Sequence, residues 1–149
     1  MILLTGGRGA VATQLLGLLH EAGLPVRVGS RMPADLNLPR GVPAVPLDLT
    51  DPATFPAALD GITSVFLYAG PDRIGDFVEQ ARKAGVTHVV LLSSSAVLGP
   101  GAATDPLAKS HLDVESALLA SPPPPRSCGR APSPPTPPPG PGPSRPDAP

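Results

Sequence analysis

The sequence predicts an α/β fold, a doubly wound parallel sheet of five strands in the order 3-2-1-4-5. Three observations carry this reading. A glycine cluster, Gly6-Gly7-Arg8-Gly9, sits between a short apolar run, Ile2-Leu3-Leu4, and an apolar helical pattern. Strand-like apolar runs then alternate with helical patterns along the chain, which is the arrangement of a parallel sheet with crossover helices. The run Ser64-Val65-Phe66-Leu67-Tyr68 is nearly continuous in its apolar character, as expected of a parallel strand buried on both faces.

The glycine cluster is a strand, a phosphate-binding turn and a helix start. A helix N-terminus offers free backbone N–H groups and the positive end of the helix dipole, and both favour the pyrophosphate of a dinucleotide. Gly6 and Gly9 let the backbone turn sharply and come close to phosphates, while the small Ala12 lets helix and strand pack closely. Gly6, Gly7, Arg8, Gly9, Ala10 and Val11 are therefore candidate cofactor-binding positions. Two fingerprints fit these residues: G-x-G-x-x-A from Gly7 to Ala12, and T-G-x-x-G-x-x-A from Thr5. The second is favoured.

The helix that follows carries Val11, Leu15, Leu16, Leu18, Leu19 and Ala22 and ends at Gly23. A second strand over residues 25–29 completes a strand–helix–strand unit of the length a right-handed crossover needs. An NAD site places Asp or Glu about 20 residues past the glycines, on the ribose 2′-hydroxyl. Here that place reads Gly29-Ser30-Arg31. The planar guanidinium of Arg31 suits the 2′-phosphate of NADP, with Ser30 adding a hydrogen bond, so NADP is the expected cofactor over NAD. Taken alone, Arg31 also reads as a solvated loop arginine; its position relative to the glycine turn decides for the phosphate.

Residues 32–41 read as a polar loop and 42–47 as a third strand leading into Asp48-Leu49. Asp51-Pro52 starts a short helix, with Asp as N-cap and Pro at the first helical position, that stops at Gly61. The fourth strand, 64–68, runs into Ala69-Gly70-Pro71. A helix over 72–84 carries Ile74, Phe77, Val78 and Ala81 on one face and ends at Gly85. The fifth strand, from Val86, runs into a serine triplet at Ser93, and Asp105-Pro106 repeats the cap-plus-proline start before a last helix over 107–120.

Thr5-Gly6-x-x-Gly9, the segment GVTHVVLLSSSA and the helix LAKSHLDVESALLAS together resemble the NmrA-like, atypical branch of the short-chain dehydrogenase/reductase superfamily, NAD(P)-binding Rossmann proteins. The resemblance covers residues 1–121. It implies that Asp48 bonds the exocyclic amine of adenine with Leu49 beside it. It also implies that Ala69 and Gly70 let the backbone pass close to the cofactor ribose, and Ser93, at the end of the fifth strand, is a further candidate cofactor-binding position. The sixth strand and the substrate-binding part of the family domain are expected to be missing.

Typical short-chain reductases donate a proton through a Tyr-x-x-x-Lys pair on the helix after the fifth strand. The sole tyrosine of this chain is Tyr68, and Asp105 stands four residues before Lys109, where the tyrosine would be. Catalytic residues are therefore not assigned; Lys109, His111 and Ser94 remain polar candidates, and His111 with Glu115 reads as a solvated pair. The expected function is an NADPH-dependent reductase of a quinone or carbonyl compound. The alternatives are a nucleotide-sensing regulator without turnover, or an inactive truncated member of the family.

Composition bounds the rest. The 149 residues carry a net charge of −1, so neither a nucleic-acid nor a membrane-surface partner is expected, only a small-molecule substrate. The lone cysteine, Cys128, excludes an internal disulfide framework and a cysteine metal cluster, so no metal is expected. Residues 1–4 are too short an apolar run for a signal peptide or a span, and a cytoplasmic location is the default.

Residues 122–149 hold 14 of the 24 prolines and almost no large apolar side chain, which predicts a disordered tail with polyproline II character. One reading is a linker or interaction tail. The favoured one is a frameshift. Read one frame over, residues 125–133 permit TVLRPGAF, which resembles the sixth strand and following turn of NmrA-like proteins; the Ser127–Cys128 junction allows only Leu, Met or Val there.

Overall fold

A computed structural model describes residues 1–68, 70, 72–99 and 101–121. Strand β1 (Ile2–Leu4) passes through the glycine turn into helix α1 (Ala10–Glu21), followed by β2 (Val26–Ser30), a 3₁₀ turn (Pro33–Asp35) and β3 (Ala44–Pro46). A second 3₁₀ turn (Pro52–Thr54) continues into α2 (Phe55–Leu59), β4 (Ser64–Tyr68), α3 (Ile74–Lys83), β5 (His88–Leu92), a third 3₁₀ turn (Ser95–Leu98) and α4 (Pro106–Ala120). The five strands form one sheet in the order β3-β2-β1-β4-β5, every pair parallel, as the sequence predicts. The proline tail, residues 122–149, and Ala69 lie outside the described residues, and the expectations placed on them lie there too.

Successive residues of a strand point to opposite faces, so β1 sends Leu3 one way and Leu4 the other. Leu3 joins Val65 and Leu67 of β4, Phe55 and Leu59 of α2, Phe77 of α3 and Val114 of α4 in the larger core. Phe55 and Phe77 meet edge to face there, with ring centroids 5.2 Å apart, the arrangement the ring quadrupoles favour. Leu4 packs on the other face with Leu16 of α1 and with Val26 and Val28 of β2. Arg27 ties β2 to the end of α2, donating from Nη1 to the carbonyls of Ala57, Ala58 and Asp60 at 3.3, 3.1 and 2.8 Å. Those carbonyls end a helix and lack intrahelical donors, which is where a cation is most useful.

One expectation is corrected here. β4 is not buried on both faces: Val65 and Leu67 are buried, but Phe66 is half-buried and Tyr68 exposed. On that face the described core is built by α1, β1, β2 and the partly buried Leu36, Leu38 and Val42, with Phe66 at its margin. Nothing among the described residues carries that layer out over β5, where Val90 stays 49% exposed.

Element ends differ from the sequence reading where proline or an unusual backbone intervenes. β2 starts after Pro25, whose missing N–H cannot join the ladder although its carbonyl accepts from Ile2 at 2.9 Å. The helix expected from residue 72 begins at Ile74, because Arg73 has φ +57°, a left-handed conformation that ends the preceding turn. The strand expected from Val86 into the serine triplet is His88–Leu92, and at its far end Ser94 opens the next turn by accepting from the Ala96 N–H. The two Asp-Pro starts hold: Asp51 accepts from Ala53 N at 3.0 Å and Asp105 from Ala108 N at 2.8 Å. Asp105→Ala leaves that N–H without its cap and is expected to lower stability by about 1 kcal/mol, read from the urea midpoint at unchanged m-value.

No helix among the described residues is long and apolar enough to cross a membrane.

Candidate functional site

A cleft of about 610 Å³ opens at the carboxyl ends of β1, β2 and β4, within the size range of small-molecule and cofactor sites. This is the side of a parallel sheet where ligands bind in doubly wound folds. Its floor is the turn after β1. Gly6 has φ +66°, and a Cβ built there would sit 3.0 Å from the Cβ of Tyr68. A Cβ on Gly7 would overlap the Val28 side chain. The Gly9 N–H closes the turn on the Gly6 carbonyl at 2.8 Å, and Gly9 is the N-cap of α1. Gly6 in the left-handed region and Gly9 at the cap are what T-G-x-x-G requires.

No side chain caps α1. The first bond of its backbone ladder runs from the Thr13 N–H to the Gly9 carbonyl, so the N–H groups of Ala10 and Val11 precede the ladder. Neither residue is among those lining the cleft, and Val11 is 48% exposed; they adjoin it through Gly9, and what they could offer an anion is their backbone N–H groups. The uncapped donors, the dipole and a floor with no room for Cβ atoms fit a pyrophosphate. Thr5, buried, holds the floor in place by accepting the Tyr68 N–H at 2.7 Å while its own N–H donates to the Phe66 carbonyl at 3.0 Å.

The far end of the cleft lies where β2 and β3 finish. Ser30, Arg31, Asp48, Leu49 and Gly70 all line it, together with Arg8 from the floor. The Ser30 hydroxyl accepts from the Met32 N–H at 3.1 Å and shapes the loop that carries Arg31. Asp48 Oδ1 accepts from the Thr50 N–H and Oγ1 at 2.9 and 2.8 Å. Thr50's backbone bond, then its hydroxyl and last the charge of Arg31 hold the Asp48 carboxyl below the usual carboxylate range, against some desolvation. Asp48 is thus an ionised acceptor at neutral pH, and Oδ2 has no protein donor among the described residues. A Cβ on Gly70 would meet Leu49 Cδ1 at 3.3 Å, so the backbone at Gly70 and the Leu49 side chain lie close together.

Ser93 is not brought to the cleft. Its hydroxyl donates to Glu115 of α4, so Glu115 pairs with Ser93 and not with His111 as expected. His111 Nδ1 is buried without a partner among the described residues. Lys109 donates to both carboxylate oxygens of Asp113, at 3.1 and 2.9 Å, and Ser94 caps a turn. None of the three polar catalytic candidates lines the cleft. Residues the sequence reading passed over do, above all Tyr68, Gly29 and Met32. The rule that ligands sit at strand carboxyl ends points to Tyr68, the last residue of β4; Gly29 matters because a Cβ there would meet Leu47 Cδ2 at 2.6 Å.

A family model described as NAD(P)H-binding matches residues 6–119. The chain belongs to this NAD(P)H-binding family. The match runs from the first glycine of the floor into the last turn of α4 and takes in every cleft-lining residue except Thr5. An NAD(P)H azoreductase from Xenophilus azovorans is 38% identical over 113 residues, 70% of this chain and 37% of that protein. A (4-alkanoyl-5-oxo-2,5-dihydrofuran-3-yl)methyl phosphate reductase from Streptomyces griseus is 40% identical over 106 residues, 68% of this chain and 37% of that protein. The chain therefore spans little more than a third of the length of these relatives. In fold it is similar to the triphenylmethane reductase of Citrobacter sp. complexed with NADP(H), with a TM-score of 0.64 at 23% identity over 80% of this chain and 45% of that one.

Proposed function

We propose that the chain forms the nucleotide site of an NADPH-dependent reductase that acts on a quinone or carbonyl compound. The observation that carries this reading is the uncapped N-terminus of α1 above a glycine floor, at one end of a cleft whose other end holds Ser30, Arg31 and Asp48. The distance between these two ends is bridged by a dinucleotide lying along the carboxyl edge of the sheet. In this reading the N–H groups of Ala10 and Val11 take the pyrophosphate, Asp48 Oδ2 accepts from the adenine amine and Leu49 lies against the ring. Arg31 takes the 2′-phosphate, its charge and planar fork matched to that group, and this is the ground for NADP over NAD. NADPH supplies a hydride when bound; the chain's own residues bind and orient it. The two curated relatives are both named as reductases, which supports the same class. The reading places the protein in the cytoplasm with a small-molecule substrate and neither nucleic acid nor membrane as partner.

A second reading, a nucleotide sensor without turnover, is favoured by one observation. Lys109 is tied to Asp113 and Asp105 caps α4, so the pair that would protonate a carbonyl is absent from its helix. Steady-state oxidation of NADPH by the full chain against a panel of quinones and carbonyl compounds separates the two. Turnover with a quinone supports the reductase; saturable NADPH binding with no turnover on any acceptor removes it for this chain and leaves the sensor.

A further inference from the structure

Two guanidinium groups face the adenosine end of the cleft, and only one of them is held. Arg8, on the glycine floor, donates from Nη2 to Asp35 Oδ2 at 2.7 Å, with Met32 Sδ 3.9 Å from the same nitrogen. Arg8 belongs to the loop after β1 and Asp35 to the 3₁₀ turn after β2, so this ion pair links the two loops that flank the cleft. The backbone beside Asp35 is anchored, because the next residue, Leu36, packs against the core cluster beneath α1. A carboxylate thus stands beside the cleft, paired with the guanidinium of Arg8, which lines it. Arg31 makes no ion pair among the described residues, though Asp48 lies within reach of its charge. The two positive and two negative side chains at this end balance.

We propose that Asp35 is a specificity-determining residue that restrains the preference of the site for a 2′-phosphorylated nucleotide. The inference rests on the reading that the adenosine end of NADPH lies against Ser30, Arg31 and Asp48. A 2′-phosphate is close to dianionic at neutral pH and competes with Asp35 for Arg8 while being repelled by the Asp35 charge. A nucleotide with a free 2′-hydroxyl feels neither effect. Asp35 thus lowers affinity for the phosphorylated ligand alone and narrows the gap between NADPH and NADH. Both partners are half exposed, with side-chain exposures of 58% for Arg8 and 47% for Asp35. Exchange of the carboxylate for a phosphate is accordingly an easy step, since an exposed ion pair is weakly held, whereas the guanidinium–phosphate contact it gives way to is a strong, bidentate one.

Adenosine fragments test this without any contribution from the nicotinamide end. Titrating 2′,5′-ADP and 5′-AMP into the full chain and its Asp35→Asn variant should show 2′,5′-ADP affinity rising about three- to tenfold in the variant, with 5′-AMP unchanged. The gain should shrink when the substitution is made in an Arg8→Ala background, because Arg8 is then no longer there to be released. An unchanged or weaker affinity for 2′,5′-ADP overturns the proposal, as does an equal gain for both ligands. Circular dichroism and thermal melting of Asp35→Asn confirm that the fold is intact when affinities are compared. If the wild-type chain binds neither fragment nor NADPH, the nucleotide reading fails first and the role of Asp35 falls with it; binding by the wild type with no response to Asp35→Asn removes the role of Asp35 alone.

Discussion

Gly6→Val is expected to abolish nucleotide binding and to lower the stability of the fold by about 2–5 kcal/mol. The backbone at Gly6 has φ +66°, where a β-branched residue is strained by about 1–3 kcal/mol before any contact is considered. The space is closed as well: the first added atom would sit 3.0 and 3.1 Å from Cβ and Cγ of Tyr68. Those atoms are next to the β4 backbone and cannot swing aside as the tip of a long side chain does. Any relief moves either the floor away from α1 or Tyr68 away from Thr5, and both disrupt the surface proposed to receive the pyrophosphate. Gly17→Ala in the middle of α1 is the contrast. Nothing lies within 4 Å of a Cβ there, so the change should raise stability by about 0.5–1 kcal/mol and leave binding untouched. Chemical denaturation and NADPH titration of both variants check the pair; a Gly6→Val protein that binds NADPH like wild type would remove the floor from the proposed site.

Arg31→Ala should weaken NADPH binding by about 1.5–3 kcal/mol, the worth of charged hydrogen bonds to a phosphate, and leave NADH affinity unchanged. That energy is a loss of about 10- to 150-fold in Kd. Asp48 sits in the electrostatic reach of Arg31, so the variant also loses one influence that keeps the Asp48 carboxyl low. The two bonds from Thr50 are the larger causes and remain, so Asp48 stays ionised at neutral pH and its proposed contact with adenine survives. Fluorescence titration with both nucleotides measures the outcome. Equal affinities of wild type for NADPH and NADH would end the assignment of Arg31 to a 2′-phosphate.

What the sequence made legible was whatever is decided within a few residues. Asp51-Pro52 and Asp105-Pro106 cap their helical turns as read, because an N-cap answers to donors two or three positions away. Ser64–Tyr68 is a strand at the expected residues, and the parallel order follows from the crossover rule once the strands are known. The rest depends on residues far apart in the chain. Tyr68 enters the cleft only because β4 lies beside β1 in the register that places Phe66 opposite Leu4. Arg8 and Asp35 have ordinary surface compositions and become a pair only when two loops converge. Ser93 was placed correctly at the end of the fifth strand, yet its hydroxyl is drawn to Glu115 on α4, a partner no local pattern announces. The half-exposed face of β4 was missed for a similar reason: an apolar run shows that a strand can be buried on both sides, not that a second layer is there to bury it.

The sheet's central strand, β1, has only three residues and pairs on one side with β2 and on the other with β4, where Ile2 meets Ser64. During synthesis β2 emerges soon after β1, but the second neighbour arrives only after α1, β2, β3 and α2 have all been made. Until then Leu3, fully buried in the finished fold, has no β4 beside it and none of the α3 and α4 side chains that close its core. Closing so distant a pair is slow because the intervening chain must be ordered first. A nascent chain therefore carries Leu3 without its β4 neighbours until Val65 and Leu67 have been made, and without Val114 of α4 for longer still. The first strand to be synthesised waits for the fourth before it has both neighbours.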